Sequence, residues 1–214
     1  MRGQPAEIKA PNRLVVGITG ASGVAIGIRL LEALGELSVE SHLVVSKAGA
    51  MTIGLETKIK PRSLSALADY YYAENDIAAP IASGSFKTMG MIVAPCSVRS
   101  WSEIATGVTT NLLTRAADVT LKERRTLILI ARESPLHLGH LRTLTQLAEM
   151  GAIVLPPVPA FYAAPFTLTD IVDQIVGRAL DVLGYDWPKV KRWGEDLSKG
   201  RRGSRGARSK TRGA

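Results

Sequence analysis

The sequence is poor in the features that mark secreted and membrane proteins. Cys96 is the one cysteine among 214 residues, so no intrachain disulfide can form. No run of about 18 apolar residues occurs, which argues against a membrane-spanning helix. Residues 1–11 lack the apolar centre and the small-residue cleavage site of a secretory signal. These absences together predict a cytoplasmic protein that does not contact membranes.

The net charge of +8 is concentrated in one terminal segment. Residues 198–214 carry seven of the 27 basic residues and none of the 19 acidic ones, so the rest of the chain is close to neutral. Glycine, serine and arginine cannot bury apolar surface, which predicts a disordered basic tail over residues 198–214. The tail is either a solubilising extension, which we favour, or a contact for phosphates, RNA or an acidic partner. Nucleic-acid binding is therefore not predicted as the function of the folded part.

The folded part alternates short apolar runs with amphipathic segments, as α/β proteins do. The predicted strands are residues 14–18, 42–46, 89–95, 127–131 and 152–156. The predicted helices are residues 24–35, 47–55, 98–105, 111–122, 138–150 and 169–183. Tyr70, Tyr71 and Tyr72 are expected only to pack at the surface. Because continuous apolar strands favour a parallel sheet covered on both faces, we predict one doubly wound, mostly parallel α/β domain of Rossmann-like architecture over residues 12–197.

Polar or rigid loops follow all of the predicted strands. They are TGASG (19–23), Ser46, PCSVRS (95–100), RESP (132–135) and PPVPAFY (156–162). In a doubly wound sheet, ligands bind beyond the carboxyl ends of the strands. The coincidence of so many such loops at one edge therefore predicts a binding site there.

The glycine loop at residues 19–23 opens directly into a predicted helix. Its glycines let the backbone approach a ligand, and free N–H groups at the helix start suit a phosphate together with the Ser22 hydroxyl. The alternative is a tight turn in which Ser22 caps the helix. The loop matches neither the Walker A motif nor the G-x-G-x-x-G fingerprint, so spacing alone leaves both interpretations open.

Three basic residues interrupt helices that are otherwise apolar. Arg115 and Lys122 lie seven residues apart on one face of their predicted helix, and Arg178 interrupts the last one. Arginines embedded in apolar helices need anions, either internal carboxylates or a ligand phosphate. His137 and His140 share a helix face, but no third ligand accompanies them, so no metal site is predicted.

Several stretches of the sequence, taken together, resemble the UbiX-type flavin prenyltransferase family. They are TGASG (19–23), VSKAG (45–49), ASGSF (82–86), APCSVRS (94–100), NLLTRAADVTLKERR (111–125), RESPLH (132–137) and PPVPAFY (156–162). The resemblance extends over residues 13–195, and the TRAADVTLKERR run together with PAFY is its most specific part. It implies a Rossmann-like, flavin-binding fold and a homo-oligomer, dodecameric in family members.

The resemblance also implies an activity. The enzyme would transfer a dimethylallyl group from dimethylallyl monophosphate to N5 and C6 of reduced FMN without a metal ion. The product, prenylated FMN, would serve as cofactor for a UbiD-type decarboxylase. The sequence contains no aspartate-rich magnesium motif, so arginine and lysine would have to neutralise the phosphate.

Position by position, the resemblance implies three groups of site residues. The FMN contacts are Gly20, Ala21, Ser22, Ser46, Ser97, Val98, Arg99, Ser100 and Arg132. The prenyl phosphate contacts are Arg115, Lys122, Tyr162 and Arg178, with residues contributed by neighbouring subunits. The catalytic positions are Glu133 for proton transfer at the flavin, Ser22, Glu56, and Trp193 as an aromatic wall over the prenyl group. Because related sequences vary at positions 99 and 100, these two side chains are expected only to line FMN.

Two other functions stay open at this point. Cysteine-type flavin decarboxylases of the same fold superfamily have a catalytic histidine after the second strand and an asparagine-containing loop after the third. The corresponding stretches here, VSKAG and PCSVRS, contain neither, which argues against that class. The second alternative is a non-catalytic subunit of a hydroxyaryl acid decarboxylase complex.

Overall fold

A computed structural model describes residues 11–194, apart from the side chains of residues 61 and 62. The predicted basic tail and residues 195–197 of the predicted domain lie outside this range. The strands and helices, in chain order, are β1 (Arg13–Ile18), α1 (Val24–Glu36), β2 (Glu40–Val45), α2 (Lys47–Glu56), β3 (Tyr70–Tyr72), β4 (Gly90–Cys96), α3 (Val98–Thr106), α4 (Leu112–Lys122), β5 (Thr126–Ala131), α5 (Leu138–Glu149), β6 (Ile153–Val154) and α6 (Leu168–Val182). None of the helices in the described range is long and apolar enough to cross a membrane.

All six strands described here form one sheet in the order β3-β2-β1-β4-β5-β6, and every neighbouring pair is parallel. The chain builds outward from β1 in one direction and from β4 in the other, so the direction of winding changes between these two strands. This confirms the predicted doubly wound α/β fold. In such sheets, ligands bind in the crevice at the carboxyl ends of the two central strands.

Alternate side chains of each strand pack on opposite faces of the sheet. Leu14, Val16 and Ile18 of β1 join a core shared with α1 and α6, whereas Val15 packs in a second core with α3 and α4. Both faces are covered, which explains why the strands read as continuous apolar runs rather than alternating ones. The two cores fix the positions of β1 and β4, and therefore the points at which the loops after them begin.

The structure contains one strand that the sequence did not predict, β3. Residues 70–72 do not merely pack at the surface: they form the edge strand β3, paired with residues 42–44 of β2. The Tyr70 ring stacks on His42 with their centroids 4.7 Å apart, and the Tyr72 hydroxyl lies 2.9 Å from His42 Nδ1. A strand of three residues leaves no periodic signal, so only its partner strand reveals it.

The contact of α1 with the sheet is close enough to require glycine at one position. A Cβ atom at Gly27 would lie 2.2 Å from the carbonyl oxygen of Ala94 in β4 and 2.8 Å from Cγ1 of Ile18. Gly35, near the end of the same helix, has nothing within 4 Å of the equivalent position. Of these two glycines, only Gly27 sets the distance between α1 and the central strands.

We expect Gly27→Ala to lower the free energy of unfolding by about 1–3 kcal/mol, because α1 or β4 must shift to admit the methyl group. Gly35→Ala is the matched control on the same helix. It should be neutral or stabilising by about 0.5–1 kcal/mol, since alanine has the higher helix propensity. Chemical denaturation of both variants measures the difference, and equal stability of the two would contradict the close approach.

Candidate active site

A buried threonine joins the loops after β1 and β4 at the point where the winding changes direction. Thr19 has no exposed surface; its hydroxyl donates to the carbonyl of Pro95 at 2.7 Å and accepts the N–H of Ser97 at 2.8 Å. Ser97 caps α3, which begins at Val98, and its hydroxyl lies 3.1 Å from that of Ser100. The structure thus brings predicted FMN contacts from two separate loops to one edge of the sheet.

The glycine loop after β1 lies against α2. A Cβ atom at Gly20 would be 2.5 Å from that of Ala48, so only glycine fits at this position. Gly23 is the N-cap residue of α1, and its φ of 100° lies in the left-handed region that favours glycine. The interpretation of Ser22 as the cap is therefore wrong, because Gly23 occupies the capping position and the Ser22 hydroxyl bonds Glu56 instead.

A carboxylate occupies the start of α1. The N–H groups of Gly23 and Val24 donate to Oε2 of Glu56 at 2.9 and 3.1 Å, so they are not free for a phosphate. Partial burial raises the pKa of Glu56, but hydrogen bonds from the Ser22 hydroxyl and these two N–H groups, with the charge of Arg132, outweigh it and hold the pKa below its usual value. The glycine loop, the end of α2 and the loop after β5 thus meet in one cluster.

A polar cavity of about 200 Å³ lies between the starts of α2 and α3. It is lined by four of the predicted FMN contacts, Ser46, Ser97, Arg99 and Ser100. Glu74, which the sequence analysis missed, also lines it and accepts the N–H of Lys47 at 2.7 Å. A glutamate in a loop after a short edge strand carries no pattern that could reveal this contact. The hydroxyl groups around the cavity suit a polar, hydroxyl-bearing ligand.

A second cavity, of about 540 Å³, lies beyond β6. β6 is shorter than predicted, because Pro156 and Pro157 cannot donate to a strand ladder. The chain leaves the sheet beside the end of β5, where Arg132 and Glu133 are exposed, and then passes over α6. The cavity that results brings three predicted residues together, namely Tyr162, Arg178 and Trp193. The rings of Tyr162 and Trp193 meet edge to face with their centroids 5.6 Å apart.

Arg178 is a cation without a carboxylate partner among residues 11–194. The other arginine of this cavity, Arg192, is paired with Asp181 at 2.7 Å and with Asp186 at 2.9 Å. Apolar side chains that include Ile175 complete the lining. An uncompensated guanidinium beside an apolar wall suits a small organic phosphate, with its charge on the arginine and its hydrocarbon on the wall.

Arg115 and Lys122 do not join these residues within their own chain. α4 runs back along the sheet for about 15 Å and ends with Lys122 at the edge where the strands begin. Arg115 donates to Asp118 at 2.7 Å and to the carbonyl of Ala82 at 3.2 Å. Of the two kinds of anion considered for Arg115, an internal carboxylate is therefore present. Neither cation lines the two cavities described above.

Within the described range, no group of three histidine, cysteine, aspartate or glutamate side chains could hold a metal ion. Nδ1 of His137 instead accepts the N–H of His140 at the start of α5, and the two rings stack. Cys96 is fully buried, and this burial raises the pKa of its thiol far above the usual value.

Comparisons with known proteins agree with this geometry. The family model described as Flavoprotein matches residues 3–180. This match and the doubly wound sheet, with its hydroxyl-lined crevice at the carboxyl edge, identify the chain as a flavoprotein.

Individual relatives narrow the class. Flavin prenyltransferase UbiX of Escherichia coli K12 is 52% identical over 184 residues, which cover 85% of this chain and 97% of that protein. The crystal structure of AnUbiX with FMN and dimethylallyl pyrophosphate is 48% identical, with a TM-score of 0.84 over 85% of this chain and 97% of that one. A dodecameric FMN-dependent UbiX-like decarboxylase from Escherichia coli O157:H7 is also 48% identical, with a TM-score of 0.83 over 85% and 98%. The chain belongs to the UbiX-type flavin prenyltransferase family.

The cysteine decarboxylases are more distant. The peptidyl-cysteine decarboxylase EpiD is 17% identical, with a TM-score of 0.56 over 68% of this chain and 87% of that one. This likeness shows a shared fold and nothing about the reaction.

Glu56→Gln should remove a pH-dependent part of the stability. Because the folded pKa lies below the unfolded one, the stabilisation is fully present above about pH 4.3 and is lost as the pH falls through the folded pKa. Glu56 is largely exposed, so the variant should lose at most about 1 kcal/mol near neutral pH and nothing at the acid end.

Denaturation of both proteins between neutral and acidic pH measures this difference. Glu149→Gln is the control, since Glu149 is exposed and makes no ion pair with residues 11–194. It should leave the pH profile unchanged. Superimposable profiles for the wild type and Glu56→Gln would contradict the role of this carboxylate at the start of α1.

Proposed function

We propose that this chain transfers the dimethylallyl group of dimethylallyl monophosphate to N5 and C6 of reduced FMN, and so makes prenylated FMN for a UbiD-type decarboxylase. The observation that carries the proposal is the cavity beyond β6, where Arg178 and Tyr162 lie beside an apolar wall. Membership of the prenyltransferase family supports the same reaction, because the related AnUbiX crystal structure contains FMN and dimethylallyl pyrophosphate.

The carboxyl edge of the sheet fits FMN. Ser46, Ser97 and Ser100 line its polar cavity, and their hydroxyls can bond the ribityl and phosphate oxygens. Arg132, close enough to Glu56 to lower the pKa of that carboxyl, adds positive charge for an anionic ligand. When bound there, reduced FMN supplies the nucleophilic nitrogen and carbon of the reaction.

The cavity beyond β6 fits the prenyl phosphate. The carbon–oxygen bond breaks and the phosphate leaves with the electron pair, so negative charge develops where Arg178 and the Tyr162 hydroxyl can stabilise it. The aromatic rings of Tyr162 and Trp193 line the same cavity and can stabilise the allylic positive charge. Fixed cations do here what a divalent metal does in other prenyltransferases, so we propose a reaction that needs no metal.

Acid–base chemistry at the flavin falls to Glu133. Its carboxylate is exposed at the end of β5, next to Arg132, and within residues 11–194 it bonds only the N–H of Ser134, at 2.9 Å. An exposed carboxylate can take up the proton that C6 releases when the new ring closes. Ser22 and Glu56 have a positioning role in this proposal, because their hydrogen bonds fix the glycine loop at the start of α1.

Lys122 enters the site from a neighbouring subunit in this proposal. Its side chain is 46% exposed at the edge where the strands begin, so a symmetric homo-oligomer can bring it to the cavity of an adjacent chain. Arg115 lies on the same face of α4 as Lys122 and would enter the neighbouring site with it. The dodecamer of the Escherichia coli O157:H7 relative supports such an assembly.

We also propose a cytoplasmic location, which the absence of a spanning helix among residues 11–194 permits. Cell fractionation tests it, and recovery of the protein in the membrane pellet would contradict it.

The purified protein, incubated without oxygen with reduced FMN and dimethylallyl monophosphate, should yield a flavin heavier by one prenyl unit. Mass spectrometry of the released flavin measures this. Dimethylallyl diphosphate is assayed in parallel, because the cavity does not distinguish the two donors. No gain in mass with either donor would contradict the proposed function, and so would carbon dioxide release from a cysteinyl substrate as the sole activity.

Lys122→Ala and Arg178→Ala should each reduce prenylation at least about tenfold while FMN stays bound, because each removes one charge from the phosphate site. If the two residues come from different subunits, co-expressed variants form mixed assemblies in which about one site in four is intact. Such assemblies should regain up to about a quarter of the wild-type rate.

Lys58→Ala, at an exposed lysine without an ion pair among residues 11–194, is the control and should be fully active. Mixed assemblies that stay as inactive as the separate variants would show that both residues act within one chain.

A further inference from the structure

Gln174 is a buried polar residue whose amide has no partner in the described chain. Only 8% of its surface is exposed, yet it lines the cavity beyond β6. No hydrogen bond joins its side chain to any residue from 11 to 194, although most buried polar groups in proteins are hydrogen-bonded. The amide atoms are not among the fully buried polar atoms that lack a partner, so they keep access to the cavity, where a ligand can bond them.

The packing of α6 fixes Gln174 in this position. Ile175 and Val176, which follow it, belong to the core shared with α1. Asp173, which precedes it, accepts a hydrogen bond from Nε of Arg29 in α1 at 2.6 Å. These contacts on either side prevent α6 from rotating, so the amide stays in the cavity.

Gln174 and Arg178 form one polar stripe on α6. Residues four apart lie on the same helix face, with Cβ atoms about 5–6 Å apart. Helical side chains lean toward the N-terminus, and both residues line the same cavity, so a ligand beside the Arg178 guanidinium can also reach Gln174. Asp181, which also lines the cavity, is engaged by Arg192 at 2.7 Å. No acceptor among residues 11–194 bonds the N–H groups of this stripe.

We propose that Gln174 is a further substrate-binding residue, whose amide N–H groups donate to the phosphate oxygens of dimethylallyl monophosphate beside Arg178. This inference rests on the proposed function and adds a residue that the family motifs do not include. A phosphate accepts several hydrogen bonds at once, so the amide and the guanidinium can hold different oxygens of the same group. The apolar side chains of the cavity remain available for the hydrocarbon.

The test is ligand binding to the FMN-loaded protein, with the flavin oxidised so that no turnover occurs. Calorimetric titration measures the Kd of dimethylallyl monophosphate and, separately, of inorganic phosphate. Gln174→Met keeps the length of the side chain and removes both donors, and it should raise the two Kd values by a similar factor of about ten. Gln174→Glu keeps the shape but adds a negative charge, so it should weaken binding further.

Gln146→Met is the matched control, because Gln146 lies on α5, on the opposite face of the sheet, and bonds the carbonyl of Ala105. It should leave both Kd values unchanged. Melting temperature and flavin content verify that each variant is folded, and the two substitutions at Gln174 test the proposal independently. Unchanged Kd values for Gln174→Met, or Gln174→Glu binding as tightly as Gln174→Met, would overturn it.

Comparison of the two ligands distinguishes a failure of this inference from a failure of the proposed function. If Gln174→Met weakens dimethylallyl monophosphate alone and not inorganic phosphate, the amide does not contact the phosphate and the proposal is wrong. If the wild-type protein neither binds nor prenylates with the monophosphate or the diphosphate, the proposed function itself fails. If the wild type prenylates FMN and Gln174→Met binds as tightly, only the inference about Gln174 fails.

Discussion

The hydrogen bonds of Thr19 tie the two central strands together where the direction of winding changes, and the site depends on that junction. Thr19 is fully buried, and its hydroxyl both donates and accepts, so the loops after β1 and β4 cannot move apart without leaving a buried polar group unpaired. The close packing of Gly27 on Ala94 holds α1 at the same place. Ser97, on one side of the junction, caps α3, and the glycine loop starts on the other side. The predicted flavin contacts in both loops are therefore held in fixed positions.

The architecture could be predicted because it depends on patterns that are local in the sequence. Apolar runs between helical segments predict a covered parallel sheet, and the two cores confirm that the strands are apolar on both faces. The edge strand β3 could not be found in this way. It depends on the stacking of Tyr70 on His42, a contact across 28 residues, and three tyrosines in a row have no alternation.

The site was predictable to a different extent for each group of residues. Loops at strand ends locate Ser46 and Ser97 because the fold brings all carboxyl ends to one edge. The contact of Glu56 with the start of α1 spans more than 30 residues and leaves no local pattern, so the N–H groups there looked free. Asp118 is a different case. Its spacing of three residues from Arg115 is that of a helical ion pair, and this signal was present in the sequence.

Charge balance supports the proposal that a second chain contributes to the phosphate site. A phosphate monoester carries a charge of about −1.5 to −2 at neutral pH. In the cavity beyond β6, Arg192 is already matched by Asp181 and Asp186, so Arg178 alone offers an uncompensated charge. An amide such as that of Gln174 can direct the phosphate but cannot neutralise it. In the proposed site the remaining charge would come from outside the cavity. Lys122 is half-exposed at the opposite edge of the sheet, and it would have to exchange its own-chain partner Glu123 for the phosphate. Under this proposal, assembly of subunits contributes to the chemistry as well as to stability.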